Sequence, residues 1–474
     1  MCGILSAMPG YAQTRLTLEQ ALEIALSENV AVKVADMEIR RSEYARKGAY
    51  ASLLPQINGN GTYQRTIKKQ VMYMGGDDEE DGGGMSSMFI GIMEPIYKSL
   101  GLLAANTGTD ISSALAPSTD TGTSSASDGI AVGRLNTYNI GVSASMPIIN
   151  AQLWQSLAIS GKNVELAVEQ ARSSRLDMVT QVKQAYYGVL LAREAFDVYK
   201  EVYENAVENF SQTEKRYKVN KASELEYTRA KVNVANSIPN VYNAESSVML
   251  ALWQLKAVMG VDLDMDIDVA GSLGDYSSQM AVDPSVEAAS LDGNTNIRQL
   301  AIQADQLAAS VRMQKYAYLP SLSLAFSYSM NAMTNDFKFE EYKWTPYSYV
   351  GLSLSIPIFS GGKRLHDVKA AKVQQAELDL QRVNVERQLR IAIRQYLTTM
   401  ETNVKSWSTA QETVGLARKA YDISEKSYNV GKSTITELGD ARLALTQAQL
   451  ASSQAVYNFL VAKANLEKTI GTEN

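Results

Sequence analysis

The chain carries one segment at two places, and this repetition constrains the fold more than any other feature. Residues 216–226 read RYKVNKASELE, and residues 427–440 read SYNVGKSTITELGD. The shared tyrosine, valine, lysine and glutamate each recur 211 positions later, as from Tyr217 to Tyr428. Because each copy of a long internal repeat builds one structural unit, the chain is predicted to fold as two similar halves.

Two other pairs of segments give the order of elements within each half. LLPQIN at 53–58 parallels YLPSLS at 318–323, and SASMPII at 143–149 parallels SLSIPIF at 353–359. Each half is predicted to contain a helix, a strand, a second strand ending at a proline, a long helix, a tip and a returning helix. The predicted order along the chain is a first repeat at 13–260, a linker at 261–285, a second repeat at 286–471 and a tail at 472–474.

Two proline-free runs predict unusually long helices. Residues 151–218 and 363–430 contain no proline, and each would extend about 100 Å as one helix. Returning helices are predicted at 222–259, with an interruption at Pro239, and at 434–470, where apolar residues follow a heptad spacing typical of coiled coils. Two helical hairpins follow, with tips near 217–224 and 428–435.

Alternating segments predict four β-strands in a membrane. SLSLAFSYSM at 321–330, SYVGLSLSIPI at 348–358 and residues 137–146 alternate apolar with small or polar side chains. Strands of about ten residues with this alternation are typical of outer-membrane barrels. A fourth strand, after Pro55, is predicted from the repeat alone. A soluble sandwich is the alternative, but four strands divided between two such long hairpins would not build one. Lipid does not tolerate open strand edges, so the strands require other copies of the chain to close a barrel.

The first half holds an extra 55 residues between its two strands. They are rich in glycine, serine, threonine and aspartate, a composition that does not bury a core. We predict a long extracellular loop at about 68–133. Its DDEED run at 77–81 is interpreted as solvated charge, with a cation site as the alternative.

The N-terminal residues indicate export. MCGILSAMPGYA at 1–12 is short and apolar and ends in a small-x-small pattern before Gln13. We interpret it as the remnant of an export signal, and an ordinary flexible terminus is the alternative.

Composition argues against several function classes. The chain has 45 Lys and Arg against 51 Asp and Glu, with no basic block, so nucleic acid is not an expected partner. One histidine and one cysteine leave few ligands for zinc and little for a nucleophilic triad. We therefore expect no enzyme activity and no cofactor, although catalysis by two carboxylates stays formally open.

Taken together, these features resemble the TolC family of outer-membrane efflux and secretion channels. The resemblance covers about residues 16–471, from the LTLEQALEIALSEN opening through both strand pairs and both tips. It implies a mixed α/β, mostly α-helical membrane protein, and a homotrimer that shares one 12-stranded β-barrel. The coiled-coil hairpins would form a periplasmic tunnel with an equatorial belt. The implied partners are outer-membrane lipid, a periplasmic adaptor (membrane fusion) protein and an inner-membrane transporter of RND, ABC or MFS type.

The resemblance also implies roles for the tip residues. The implied adaptor contacts are Val219, Asn220, Lys221, Val430, Gly431 and Lys432. Glu437 and Asp440 occupy the places of two acidic residues that ring the channel entrance, and ordinary exposed helix charges are the alternative interpretation. Tyr428 and Glu226 match positions that link neighbouring hairpins in the closed state. Ser433 stands where some members carry a basic residue that completes this link.

The predicted function is a passive exit duct of a tripartite efflux pump or a type I secretion system. Two alternatives come from other classes: a periplasmic coiled-coil adaptor, and a structural envelope protein without conduction. An adaptor would lack the lipid-facing strands, and a structural protein would not conduct ions in a planar bilayer. The sequence does not distinguish among drugs, metals and proteins as cargo, because a duct has no tight substrate site.

Overall fold

A computed structural model describes residues 14–72, 130–288 and 290–472. The described residues divide into a helical unit, which lies within Met1–Ser52, Asn150–Ser321 and Ile356–Asn474, and a strand unit, which lies within Leu53–Ile149 and Leu322–Ser355. The predicted export-signal remnant, most of the predicted 68–133 loop with its DDEED run, and the last two residues lie outside the described residues.

The helical unit contains two long hairpins, as the proline-free runs predict. Its helices are α1 Leu18–Glu28, α2 Val30–Ala51, α3 Ala151–Lys218, α4 Glu224–Met259, the short α5 Leu273–Tyr276, α6 Thr295–Tyr316, α7 Lys363–Asn429 and α8 Ile435–Ile470. Helices α3 and α7 have 68 and 67 residues, which corresponds to about 100 Å each. The first hairpin pairs α3 with α4, and the second pairs α7 with α8.

The predicted interruption at Pro239 is wrong, because α4 continues through this residue to Met259. A proline inside a helix removes one backbone donor and leaves the carbonyl four residues earlier without its partner. Both Pro239 and Ala235 lie on the exposed side of α4, where solvent can reach that carbonyl. The packing of α4 against α3 along its length holds the helix together across the proline.

The main core of the helical unit forms around a small parallel ladder. Strands β1 (Thr14–Leu16) and β6 (Ile267–Val269) pair in parallel, so the predicted linker at 261–285 contributes directly to the core. The buried Tyr186 hydroxyl lies 3.1 Å from the Leu16 carbonyl and 2.7 Å from that of Ala270, which ties α3 to the chain beside both strands. Other large side chains in this core are Leu190, Leu255, Met259 and Phe459.

The main sheet of the strand unit mixes the two repeats. Its strands are β2 Gln56–Arg65, β5 Asn136–Ile149, β7 Ser321–Thr334 and β8 Thr345–Ser355, in the order β2-β5-β7-β8. Strand β5 pairs antiparallel with both β2 and β7. The register runs from Gln56↔Ser145 to Arg65↔Asn136 between β2 and β5, and continues between β5 and β7. The strand predicted from the repeat alone is therefore present, as β2. A second ladder, β3 (Gln70–Met72) with β4 (Ile130–Val132), flanks the residues that the structure does not describe.

The sheet leaves its edges and much of its surface uncovered within the described residues. Strands β2 and β8 lie at the two edges, and every position of β2 is exposed. The apolar side chains of Val350, Leu352 and Leu354 along β8 are also exposed. Among the described helices, none combines the length and the apolar character needed to cross a membrane.

Candidate functional site at the two hairpin tips

At both tips, the first helix of the hairpin ends with the same pattern of backbone hydrogen bonds. After α3, the Lys221 amide donates to the Arg216 carbonyl at 2.8 Å, and the Asn220 amide donates to the Tyr217 carbonyl at 2.9 Å. These two hydrogen bonds form a Schellman motif, which requires a left-handed residue just after the helix. Asn220 takes that conformation with φ of 58°, a conformation that asparagine tolerates better than most residues.

The second tip repeats this motif with glycine at the left-handed position. The Lys432 amide donates to the Ser427 carbonyl at 2.8 Å, and the Gly431 amide donates to the Tyr428 carbonyl at 3.0 Å. Gly431 has φ of 75°. Since glycine has no Cβ, it adopts this conformation without strain. The predicted tip residues thus form two tight turns of the same geometry.

Each returning helix starts with a capping box. The Ser223 hydroxyl accepts from the Glu226 amide at 3.2 Å, while the Glu226 carboxylate accepts from the Ser223 amide at 2.7 Å. In the second tip, Thr434 and Glu437 make the same reciprocal pair, at 3.3 and 3.1 Å. This arrangement satisfies backbone donors that a helix start leaves free. The repeated glutamate therefore has a structural reason in both tips.

The two repeated valines have no such reason. Val219 and Val430 are 61% and 68% exposed, although each is the apolar residue at the apex of its turn. Lys221 and Lys432 are exposed beside them, and neither forms an ion pair with a residue that the structure describes. Each tip therefore presents an apolar side chain next to a positive charge.

Tyr428 links the two hairpins of one chain. Its side chain is buried, and its hydroxyl shares a hydrogen bond of 2.7 Å with the Thr213 hydroxyl of α3. The Arg216 guanidinium lies 5.7 Å from the centre of the tyrosine ring and donates to the Tyr428 carbonyl at 3.2 Å and to the Asn429 carbonyl. Nearby buried side chains of α4, α7 and α8, among them Ala230, Tyr421 and Leu438, complete a small apolar cluster.

Glu226 does not take part in this link. Its carboxylate is engaged in the capping box of α4, and no hydrogen bond joins it to Tyr428 within the described chain. The structure thus does not bring together the two residues that the resemblance pairs. Within one chain, Thr213 and Arg216 bond to Tyr428, and a link through Glu226 between neighbouring hairpins stays a prediction. Only Arg216 belongs to the repeated segment, and nothing in the sequence marks Thr213 as a partner of Tyr428.

Glu437 and Asp440 lie one helical turn apart and are both exposed at the start of α8. The Glu437 carboxylate accepts from the Ser433 hydroxyl and from the Thr434 amide. These two hydrogen bonds, the Ser433 one first, lower the pKa of Glu437 below its usual value. A ring of carboxylates from several chains would act in the opposite direction. Within one chain, Glu437 therefore holds its negative charge to lower pH than an ordinary glutamate.

Comparison with known proteins identifies the family. The sequence pattern of the outer membrane efflux protein family matches residues 112–261 and 288–472. The outer membrane protein TolC of Escherichia coli is 21% identical over 72% of this chain and 70% of its own length. The alkaline protease secretion protein AprF of Pseudomonas aeruginosa is 23% identical over 70% of this chain and 69% of its own.

A solved structure shows the same fold. The CmeC outer membrane channel of Campylobacter jejuni superposes with a TM-score of 0.66 at 19% identity, over 96% of this chain and 87% of that one. The match spans nearly the whole chain, and the family pattern covers well over half of it. The chain therefore belongs to the outer membrane efflux protein family, a family of channel proteins, and is an exit duct in the outer membrane for efflux or secretion.

Proposed function

We propose that three copies of this chain close one 12-stranded barrel in the outer membrane and form a tunnel of helical hairpins in the periplasm. The observation that carries this proposal is the sheet β2-β5-β7-β8, whose two edge strands each pair on one side only with strands of the described residues. Unpaired backbone groups at membrane depth cost several kcal/mol each, roughly, so a lipid-embedded sheet must close. Three copies supply twelve strands with no remaining edge, and the exposed apolar side chains of β8 face the lipid.

The helical unit supports the same assembly. Apolar side chains at heptad-like spacing lie exposed on two helices: Val30, Val34, Met37 and Tyr44 on α2, and Tyr242, Met249 and Trp253 on α4. Stripes with this spacing pack against other helices in coiled coils. Neighbouring copies of the chain would cover them, since contiguous apolar surfaces of this extent are seldom left in water.

The tips would dock a periplasmic adaptor, which connects the duct to an inner-membrane transporter. Val219 and Val430 support this role because both are exposed at equivalent apices, and the turn geometry needs neither side chain. The flanking Lys221 and Lys432 would favour an acidic partner surface. Asn220 and Gly431 would serve docking by fixing the turns that present these side chains.

The entrance of the duct would be lined by Glu437 and Asp440. In a trimer, these residues place six carboxylates around one axis, and their field would attract cations into the opening. The exposure of both side chains on one side of α8 supports this arrangement. Tyr428 would hold the closed state through its hydrogen bond to Thr213, and Glu226 would act indirectly by capping α4.

Two neighbouring residues of β8 offer a matched test of the barrel. Leu352 and Ser353 point to opposite faces of the sheet, because successive side chains of a strand alternate. Arginine on the lipid side costs about 2–4 kcal/mol at the bilayer midplane, whereas the lumen accepts it. We expect the wild type and Ser353→Arg to give the mass of three chains in mild detergent and to conduct in planar bilayers, and Leu352→Arg to lose assembly. A monomeric or dimeric wild type, or equal behaviour of the two variants, would refute the shared barrel.

A further inference from the structure

A cleft opens between the two hairpins a few turns from their tips. It has a volume of about 430 Å³ and is lined by one face each of α3, α4 and α8, together with Tyr421 of α7. The hydrophobic cluster around Tyr428 contributes Ala230, Ile435 and Leu438 to its wall. Neither the exposed valines nor the carboxylates Glu437 and Asp440 line it.

Arg442 of α8 lines this cleft, and its Nε and Nη2 atoms lack hydrogen bonds of normal geometry. The residue is only 8% exposed, and its Nη1 donates to the Glu201 carboxylate at 3.2 Å. The guanidinium carbon lies 5.0 Å from the centre of the Tyr421 ring. Nε and Nη2 are buried, and the guanidinium interacts with the Tyr421 hydroxyl, but neither nitrogen makes a hydrogen bond of normal geometry to the described part of the chain. Buried donors without a partner cost about 1–3 kcal/mol, more for a charged group, so these two atoms call for an acceptor.

The other walls of the cleft supply uncharged polar groups. Five asparagines line it, at i, i+4 on α3 and at i, i+3, i+7 on α4: Asn205, Asn209, Asn233, Asn236 and Asn240. None of their amide side chains bonds to another described residue. Asparagine is a poor helix former, so five of them on facing helix surfaces weaken both helices. Amides that line an open cleft are suited to bind a polar ligand.

Gly439 widens the cleft on its α8 side. It lies within α8, where glycine costs about 1 kcal/mol relative to alanine. A Cβ at this position would meet nothing within 4 Å, so no close approach of backbone explains the glycine. Its effect is to enlarge the cleft beside Arg442.

We propose that this cleft binds a carboxylate, held by the Nε and Nη2 donors of Arg442 and surrounded by the asparagine amides. The Nε–Nη2 edge is planar and matches the two oxygens of a carboxylate. Glu201 engages only Nη1, and its side chain remains 48% exposed. A bound carboxylate would join α8 of the second hairpin to α3 and α4 of the first. The ligand would therefore stabilise one arrangement of the hairpins near the duct entrance.

The carboxylate has two possible sources, a free organic acid or an acidic side chain of a protein partner. Succinate represents the first, and N-acetyl-glutamate methylamide represents the second. Succinamide and N-acetyl-glutamine methylamide are their uncharged counterparts. Calorimetric titration of the full chain, purified in detergent, measures each affinity.

Two variants test the site, and the same hairpin provides their controls. Arg442→Gln removes the charged donors, and Gly439→Leu fills the cleft without changing any charge. Arg418→Gln and Gly415→Leu make the same changes on α7, where Arg418 is exposed and a Cβ at Gly415 meets nothing within 4 Å. Neither control residue lines the cleft. Because Gly439→Leu keeps Arg442, it separates loss of binding from misfolding caused by removal of the arginine.

We expect at least one acid to bind the wild type and both controls. Hydrogen bonds to charged groups are worth about 1.5–3 kcal/mol, so Arg442→Gln should weaken binding by roughly 10- to 100-fold. Gly439→Leu should abolish it. Binding of succinate alone assigns the site to a free acid, and binding of the glutamyl amide assigns it to an acidic side chain. The proposal is overturned if neither acid binds at millimolar concentration, if the uncharged amides bind equally well, or if all four variants bind like the wild type.

Discussion

The two hairpin tips have the same backbone turn but different charges and different neighbours. Both end a helix with a Schellman motif and restart it with a capping box. The position of Asp440 in the second tip is occupied by Arg229 in the first, because the repeat is 211 residues long. At these two positions the second helix start therefore carries two carboxylates, whereas the first carries the Glu226 carboxylate and the Arg229 guanidinium, with Glu224 as a further carboxylate. Residues shared by the tips build the turn, and residues that differ are candidates for distinct roles.

The repeated tyrosines show the same division. Tyr428 is 4% exposed and bonds to Thr213, whereas Tyr217 is 37% exposed and stacks on Tyr227 with ring centres 4.9 Å apart. The two tyrosines thus occupy equivalent positions in the repeat but have different surroundings. Only the second tip turns its tyrosine toward the other hairpin of the chain. One tyrosine holds two hairpins together, and the other packs within its own.

The largest expected effect comes from changing the exposed valine that both tips share. Changing Val219 or Val430 to Asp should weaken adaptor binding by at least about tenfold each, because an interface that buries an unpaired carboxylate loses well over 1.4 kcal/mol. The double variant should lose binding altogether. Pull-down with the cognate adaptor measures this, and leucine at both positions is the apolar control. Unchanged binding of the double Asp variant, with the three-chain mass retained, would contradict docking at the tips.

The next largest effect is expected from changing the left-handed residue of each turn. Gly431→Ala should lower the stability of the second tip by about 1–2 kcal/mol, since a Cβ is strained in the left-handed conformation. Asn220→Gly, the converse change in the first tip, should raise stability slightly. Thermal unfolding midpoints of the two variants in detergent compare the tips directly. Equal midpoints for Gly431→Ala and the wild type would show that the turn tolerates a side chain.

Removing the hydroxyl group of each tyrosine in turn tests whether the two tyrosines have different roles. Tyr428→Phe should cost about 1 kcal/mol, because it breaks the buried bond to Thr213 and leaves the threonine oxygen with one partner fewer. Tyr217→Phe should be neutral, since the Tyr217 hydroxyl makes no hydrogen bond to the described part of the chain. Unfolding midpoints again provide the measurement, and channel opening events in bilayers should rise only for Tyr428→Phe. Equal effects of the two changes would remove the distinction between the tips.

The smallest effect concerns pH. Ser433 is the main cause of the lowered pKa of Glu437, and alanine stands at its place in the first tip, as Ala222. A lowered pKa keeps the carboxylate charged down to lower pH, so cation selectivity should be present above that pKa and lost as pH falls through it. Ser433→Ala should move this loss to higher pH. Reversal potentials across an acidic pH series measure the shift, and identical pH profiles would exclude the serine as its cause.

The sequence predicted the fold more completely than the site. The constant spacing between repeated segments located both hairpins. It also located β2, whose own alternation is weak, because a strand that is evident in one repeat predicts the equivalent strand in the other. The break at Pro239 was wrong because local preference was overridden by packing along α3. Thr213 and Arg442 were not singled out, since their roles depend on how α3 and α8 lie side by side, which no local pattern records.

Single-channel recording tests most directly whether the charge difference between the tips makes the second one the entrance. Glu437→Gln with Asp440→Asn removes both charges, and glutamine at position 437 still completes the capping box. Glu226→Gln with Arg229→Gln is the matched change in the first tip. The account predicts that the second-tip pair loses cation selectivity and block by trivalent cations, while the first-tip pair keeps both. Equal selectivity and equal block in the wild type and both pairs would contradict it.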